Sequence, residues 1–564
     1  MPKSNILEVK ILSSLEKIFA VEDINPLEWN CASMFLNEVY TFQVAYKWNG
    51  LRTCYAGINL ESELSAWISI RKVVLVPSEL PCYPDHDNNI LSSIPGLYPD
   101  ALMPVNNEGI PLVPNQWRSL WITINPKGNV KAKLYPIKIK FILTNIDQEL
   151  AYVKFELKII NALLPKQSLI HTQWLHSDCL STWYNVKVFS KEYWQIAENY
   201  IRTAVNHGIN MILTPLFTPP LDTAVGRERP TVQLIDVEII RENNSDRIHD
   251  LKYEFGFERL KQWIDMCRAN GVQYFEFSHL FTQWGAKHAP KIMAYENGVE
   301  KRIFGWETDA NGDEYRHFLA QFLPSLVCFV KQNHLEDHVY FHVSDEPAFE
   351  QLESYKTASS ILQTYLNGLP IIDALSVYQF YEKGIIKNPI VATDHIEPFL
   401  DNKVSNLWAY YCCGQYKDVS NRFFNMPSAR NRILGMQLYK YNIKGFLQWG
   451  YNFWYSQYSI DQIDPYKVTD AIYAFPSGDA FIVYPGTNRN PVESLRLEVF
   501  YEALQDIRAL KLLENYIGYE GVIDLLEKHL DNPITFKKYP KDALWLLNKR
   551  EEINGIIAKL AATT

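Results

Sequence analysis

The sequence has little cysteine and no run of basic residues. Its 8 cysteines are spread over 564 residues without a CxxC or a Cys/His spacing typical of zinc sites, so we expect reduced core thiols. The net charge of −9 argues against nucleic acid and against anionic membrane surfaces as partners.

Long apolar runs are also missing. No stretch of about 20 apolar residues occurs, which predicts that the chain has no membrane span. Residues 1–8 lack the apolar core of a signal peptide, so we expect a cytoplasmic protein.

Aromatic residues, by contrast, are abundant. The 15 Trp and 34 Tyr exceed what a core usually needs and suit flat apolar ligands, sugar rings included. A wide, well-packed interior explains them equally well.

The chain is long enough for two or three domains. In its first part, Ile137, Ile139 and Phe141 alternate with lysines, and a second run over 153–159 does the same. This period of two, with one polar face, predicts antiparallel sheets packed face to face. We therefore assign a β-sandwich domain to residues 1–164, followed by a linker at 161–167.

After the linker, strand-like and helix-like segments alternate. The strands are predicted at 169–174, 209–214, 272–277, 338–346, 371–376, 390–393, 407–412 and 445–449. Eight strands alternating with helices indicate a (β/α)8 TIM-type barrel at 165–515. Helical patterns near 521–529 and 541–560 predict a C-terminal helical extension at 516–564.

The most informative stretch is 338–347, where an apolar strand runs directly into Asp345 and Glu346 and stops at Pro347. Consecutive residues on a regular strand point to opposite faces, so both carboxyl groups can reach one pocket only at a strand end. Active sites of TIM-type barrels lie at the C-terminal ends of the strands. An isolated Asp-Glu-Pro is otherwise typical of a helix start or a rim turn.

Two converging carboxyl groups repel each other, which raises one pKa and makes that group a plausible acid at neutral pH. Glycosidases with a separate acid and nucleophile hold their carboxyl groups about 5 to 9 Å apart, which adjacent residues satisfy poorly. An adjacent pair fits better where the substrate's own 2-acetamido oxygen attacks the anomeric carbon.

Several ordered motifs then resemble one family. They are HTQWLHSDC at 171–179, VSDEP at 343–347, GFLQWGYN at 445–452, GDAFIVYPG at 478–486 and ESLRLE at 493–498, with LWITI at 120–124 in the sandwich. Together they resemble glycoside hydrolase family 123 over about residues 117–510.

The resemblance implies a β-N-acetylgalactosaminidase with a sandwich before a barrel, retaining by substrate assistance through an oxazoline. By the same resemblance, Glu346 is the general acid/base and Asp345 polarises the acetamido group. No metal or organic cofactor is implied. The preference for GalNAc over GlcNAc rests on the resemblance alone.

Other strand-end residues are candidates for substrate binding. Trp449 is a candidate stacking platform, and Tyr451 or Tyr411 a candidate donor to the acetamido carbonyl. Rim candidates of similar standing are His171, His279 and Trp284. Core packing is the alternative for each of them.

Three alternatives to this function stay open. The enzyme could act on another 2-acetamido sugar or a neutral sugar, or use a distant carboxylate such as Glu276 as nucleophile. The third is a carbohydrate-binding barrel without turnover. In each case the expected partner is an oligosaccharide or glycoconjugate, and the sequence does not indicate an oligomeric state.

Overall fold

A computed structural model of the protein describes residues 6–22, 28–144, 146–241 and 250–562. Its N-terminal part consists of two five-stranded sheets, ordered β1-β3-β8-β5-β6 and β2-β10-β9-β4-β7. The strands are β1 Leu7–Ser13, β2 Cys31–Phe35, β3 Tyr40–Trp48, β4 Cys54–Glu61, β5 Ile68–Ser78, β6 Gly96–Pro104, β7 Ile110–Leu112, β8 Trp117–Ile124, β9 Leu134–Leu143 and β10 Gln148–Ile160.

These two sheets pack face to face through their apolar sides. Phe42 of one sheet stacks on Phe155 of the other with ring centroids 4.2 Å apart. Along β10, buried Val153, Phe155 and Leu157 alternate with exposed residues, as the period of two predicted. The predicted antiparallel sheets are therefore confirmed, with the addition that β2 pairs parallel with β10.

The second part is built around an eight-stranded parallel sheet. The strands of the remaining chain are β11 Ile170–Gln173, β12 Met211–Thr214, β13 Asp236–Arg241, β14 Leu251–Gly256, β15 Tyr274–Phe277, β16 Ile292–Glu296, β17 Val299–Phe304, β18 Val339–Phe341, β19 Ile372–Leu375, β20 Asn388–Ala392, β21 Trp408–Tyr410, β22 Gly445–Gln448, β23 Tyr484–Pro485 and β24 Pro491–Val492. The large sheet has the order β18-β15-β12-β11-β22-β21-β20-β19. A parallel bridge from Phe341 to Ile371 joins its two ends, so the barrel is nearly closed.

Helices follow the barrel strands along the chain. They are α1 Ser177–Tyr184, α2 Lys191–Asn206, α3 Glu258–Ala269, α4 Asp313–Gln332, α5 Leu352–Tyr365, α6 Gln379–Glu382, α7 Glu397–Asp401, α8 Ser428–Arg432, α9 Leu434–Lys440, α10 Leu495–Glu527 and α11 Ala543–Ala561. α6, α7 and α8 have only four or five residues each. A complete (β/α)8 ring of helices therefore remains an interpretation, whereas the parallel barrel and the C-terminal helices are present.

Local sequence signals explain where these helices begin and bend. The Ser190 side chain caps α2 by accepting a hydrogen bond from the Tyr193 backbone N–H. Ser494 caps α10 in the same way, and α10 bends at Gly518, whose φ of 73° lies in the left-handed region. None of the described helices is long and apolar enough to cross a bilayer.

A buried network of charges joins the sandwich, the barrel and the C-terminal helices. Arg432 pairs with Glu502 and Asp506, both at 2.8 Å. Arg550 of α11 bonds to Asp506 at 2.6 Å and to Glu38 of the sandwich at 2.5 Å. The barrel is thus held against both of its neighbours by polar contacts removed from water. The domain limits at 164/165 and 515/516 stay a prediction.

Candidate active site

Asp345 and Glu346 follow β18 at the C-terminal end of the barrel. Glu346 has a φ of +42°, an unusual value for a residue with a side chain, and its N–H donates to the Ala374 carbonyl at 3.1 Å. This local turn breaks the alternation of the strand, so both carboxyl groups line one cavity. Strained backbone of this kind is concentrated at functional sites.

The cavity beside the two carboxyl groups has a volume of about 220 Å³. Its apolar surface comes from Trp174, Trp449 and Phe475, and its polar surface includes Asp222 and Gln283. Aromatic faces next to carboxyl groups are the environment that a sugar ring requires, because its C–H faces stack while its hydroxyls donate and accept hydrogen bonds.

The two carboxyl groups hold protons more tightly than usual. Burial, followed by the charge of Glu346, raises the pKa of Asp345 well above its ordinary range. Burial also raises the pKa of Glu346, although the Tyr410 hydroxyl opposes this by donating to Glu346 Oε1 at 2.7 Å. The Glu346 side chain is accessible to solvent through the cavity, although protein atoms are packed densely around it. The pair therefore loses its two protons in separate steps, and it holds the last one to a higher pH than an isolated carboxyl group does.

A buried hydrogen-bonded triad lies in the barrel below Asp345. His342 contacts Glu276 Oε1 through Nε2 at 2.7 Å and Asp373 Oδ1 through Nδ1 at 2.9 Å. Burial alone would lower the pKa of His342, but the hydrogen bonds to Asp373 and Glu276 outweigh it and raise this pKa to about 10. The triad thus favours the protonated form of His342 between two acidic side chains, and its positive charge partly offsets the negative charge around Asp345.

The same region contains a possible ligand set for a metal. The ligand atoms of His279, His342 and Asp373 lie within 4.8 Å of one another. Both nitrogens of His342 are already hydrogen-bonded, so a metal ion would have to break these bonds. His279 stacks on His342 with ring centroids 4.2 Å apart, and burial lowers the pKa of His279 well below normal.

Two of the six predicted substrate-binding residues line the cavity. Trp284 lies at its mouth with 42% of its surface exposed, and its backbone N–H donates to the Asp345 backbone carbonyl at 3.0 Å. Trp449 lies on the wall, oriented by a 2.9 Å hydrogen bond from its indole nitrogen to Asp479.

The other predicted residues are packed away from the cavity. His171 stacks on Phe500 with centroids 4.7 Å apart. The Tyr451 hydroxyl donates to the Tyr200 carbonyl at 3.0 Å. Tyr411 packs on Phe446, and His279 stacks on His342. All four residues are fully or almost fully buried, and none of them lines the cavity.

Sequence reasoning did not single out the residue that contacts the acid. Tyr410 shares the barrel interior with Trp408 and Leu447, so it points to the cavity and its neighbour Tyr411 points outward. The alternation of side chains along β21 separates the inward from the outward residues. Both faces of the strand are apolar, however, so the sequence does not show which face turns inward. Asp222 lines the cavity from the long connection after β12, a segment whose sequence at 218–222 predicts a wall of the pocket, and burial raises its pKa to about 6.

An acid pair in an aromatic cavity at the C-terminal end of a parallel barrel suits the binding and acid-catalysed cleavage of a sugar substrate. A family model for the catalytic domain of glycoside hydrolase 123 matches residues 174–513. The chain therefore belongs to glycoside hydrolase family 123 and is a glycosidase, as the motifs predicted.

Solved structures support the fold. A family 123 glycoside hydrolase from Clostridium perfringens, studied for glycolipid glycan hydrolysis, is similar with a TM-score of 0.75 and 16% identity, covering 99% of this chain and 100% of that chain. A β-glucuronidase from Ruminococcus gnavus has a TM-score of 0.30 and 8% identity, over 82% of this chain and 66% of that one. That likeness is too low to carry an argument. No curated protein matches the chain.

Proposed function

We propose that this glycosidase releases terminal β-linked N-acetylgalactosamine by a retaining, substrate-assisted mechanism. The observation that carries the proposal is the convergence of Asp345 and Glu346, with no residue between them, on one aromatic cavity. Glu346 protonates the leaving oxygen, and Asp345 accepts a hydrogen bond from the acetamido N–H while the acetamido oxygen attacks the anomeric carbon.

The distribution of protons in the pair agrees with these roles. In the free cavity, burial and neighbouring carboxylates favour the protonated form of Asp345. An acetamido N–H that donates to Asp345 favours its ionised form instead, which leaves the retained proton on Glu346. Binding of an acetamido sugar would thereby prepare the acid, and a sugar without this group would not.

The alternative with Glu276 as nucleophile has little support in the geometry. Glu276 is fully buried and does not line the cavity. Its oxygens accept hydrogen bonds from Thr172 at 2.6 Å and from Trp174 at 2.7 Å, in addition to the contact with His342. A carboxylate engaged in this way cannot reach an anomeric carbon. Asp222 is the carboxylate outside the pair that does line the cavity and therefore has to be tested.

The sugar and the glycoconjugate are finer parts of the same proposal. GalNAc is supported by the family resemblance, and a glycolipid glycan by the work on the Clostridium perfringens relative. The exposed Trp284 at the mouth gives an aglycone an aromatic surface to lie on.

The decisive experiment compares aryl β-GalNAc and β-GlcNAc substrates carrying good and poor leaving groups. Glu346→Gln should lose about 10²–10⁴-fold in kcat/KM on the poor leaving group and less on the good one, because only the poor one needs the acid. Asp345→Asn should lose activity on both kinds of substrate, since Asp345 assists the closure of the oxazoline ring, which both require.

Two further results separate the mechanisms. Asp222→Asn should keep the retaining reaction, and a thiazoline mimic of the oxazoline should inhibit the wild type. Turnover of a substrate without the acetamido group, or a glycosyl-enzyme trapped on Asp222, would refute substrate assistance.

A further inference from the structure

Asp222 lies in the wall of the catalytic cavity and takes no part in the proposed reaction. It belongs to the long connection after β12, and β12 lies two strands from β18 in one direction around the barrel. Tyr410 is in β21, which lies three strands from β18 in the other direction. The carboxyl group of Asp222 and the donor to Glu346 therefore approach the cavity from different sides.

Two neighbouring segments hold Asp222 in place. The Asp222 N–H donates to Gln283 Oε1 at 2.6 Å, and the Ser459 hydroxyl donates to the Asp222 carbonyl at 2.7 Å. The backbone N–H of Tyr458 donates to Oδ2 of the Asp222 side chain at 3.1 Å. Asp222 also has a φ of +39°, in the left-handed region that Asp and Asn tolerate better than most residues. The carboxyl group is thus fixed before a ligand arrives, which reduces the entropy cost of binding.

The other oxygen of this carboxyl group, Oδ1, accepts no hydrogen bond from the described part of the chain. Arg229 favours the ionised form of Asp222, but the Arg229 guanidinium already donates to Asp178 at 2.6 and 2.8 Å. Burial nevertheless raises the pKa of Asp222 to about 6, because the protein only partly replaces the water that the ionised group has lost. A hydroxyl group of a ligand would supply the missing donor.

We propose that Asp222 accepts a hydrogen bond from one ring hydroxyl of the bound sugar and that this contact contributes to sugar selectivity. The inference rests on the proposed function, in which Glu346 and Asp345 act at C1 and at the acetamido group on C2. The hydroxyl groups on C3, C4 and C6 of the same sugar then remain for the other walls of the cavity. GalNAc and GlcNAc differ only in the orientation of the C4 hydroxyl, so a contact at C4 would also distinguish these two sugars.

Removal of the hydroxyl that contacts Asp222 should weaken the reaction in a specific way. A site built to hydrogen-bond a hydroxyl group rejects an analogue that lacks it, because the polar group of the protein is then left unpaired. A hydrogen bond to a charged group accounts for about 10–100-fold in affinity. Hydroxyl groups that lie elsewhere in the cavity should show no such dependence on Asp222.

The test is hydrolysis of an aryl β-glycoside and its 3-, 4- and 6-deoxy analogues, built on whichever of GalNAc and GlcNAc the wild type cleaves faster. For one of the three analogues, the wild type should lose about 10–100-fold in kcat/KM. Asp222→Asn keeps an acceptor but replaces the charged bond by a neutral one of about half the strength, so this loss should shrink to about 3–10-fold. Asp222→Gly, which suits the positive φ, should show almost no such loss. The losses for the other two analogues should be the same in all three proteins.

Asp461→Asn is the matched control, because Asp461 is an exposed carboxylate close to Tyr458 in sequence and does not line the cavity. It should discriminate as the wild type does, and thermal unfolding of each variant checks the fold. If the wild type cleaves the parent glycoside but discriminates no differently from Asp222→Asn and Asp222→Gly for any analogue, this inference is wrong and the proposed function stands. If the wild type cleaves neither the GalNAc nor the GlcNAc glycoside, the proposed function is wrong and this inference is refuted with it.

Discussion

The hydrogen bond from Tyr410 to Glu346 should set the upper pH limit of the reaction. In the free enzyme, the Tyr410 hydroxyl donates to Glu346 Oε1 at 2.7 Å and so favours the ionised carboxylate. Tyr410→Phe removes this donor and leaves the ring. The pKa of Glu346 should then rise, and the acid should stay protonated to higher pH.

The size of the change follows from the contact. A hydrogen bond to a charged group contributes about 1.5–3 kcal/mol, and the lower end applies because Glu346 is open to the cavity and water can replace part of the bond. Since 1.36 kcal/mol corresponds to one pKa unit, the pKa of Glu346 should rise by about one unit, and the basic limb should move up by at most this amount because Asp345 shares the last proton of the free enzyme. The basic limb of the pH profile reports the coupled pair of Asp345 and Glu346, so its shift describes the loss of the last proton of the pair.

The assay is the pH profile of kcat/KM, which reports the free enzyme, with an aryl glycoside that has a poor leaving group. Tyr411→Phe is the matched control, because its buried hydroxyl has no hydrogen-bond partner among the described residues and faces away from the cavity. Its basic limb should stay in place. A limb that moves down in Tyr410→Phe, or moves equally in both variants, would refute the reasoning.

Two further predictions concern stability. The folded-state pKa of His342 is about 10 against an ordinary 6.5, so its stabilising contribution is complete below about pH 6.5 and is lost as the pH rises through 10. The difference in unfolding free energy between wild type and His342→Gln, measured in urea, should shrink over this range; a constant difference would contradict the imidazolium. Arg432→Met leaves the buried Glu502 without its ionic partner and Asp506 with Arg550 alone, and should cost about 3–5 kcal/mol, whereas Lys261→Met, in an exposed pair with Asp265, should cost less than about 1 kcal/mol. Equal costs would show that the Arg432 network adds nothing beyond a surface pair.

The position of the catalytic pair could be predicted because its signal is local. An apolar strand, two adjacent carboxyl groups and Pro347 occupy ten consecutive residues, and a strand end is where Asp345 and Glu346 can converge. The eight barrel strands were equally legible, since each is a short buried run between turn signals.

The partners of the pair were decided by tertiary structure. Tyr410 and Glu346 are 64 residues apart, and His342 and Glu276 are 66 apart. Such contacts depend on which strands become neighbours in the barrel and on which of two apolar faces turns inward. Neither is encoded in a local pattern.

The sequence by itself therefore determined the chain's strand and helix rhythm, its family and the place of its two acidic groups, because periodicity and motif spacing act over a few residues. Only the folded barrel decided that Tyr410 rather than Tyr411 contacts the acid and that Glu276 is buried in a triad. Those choices depend on burial and distance between remote segments, which arise when the sheet closes.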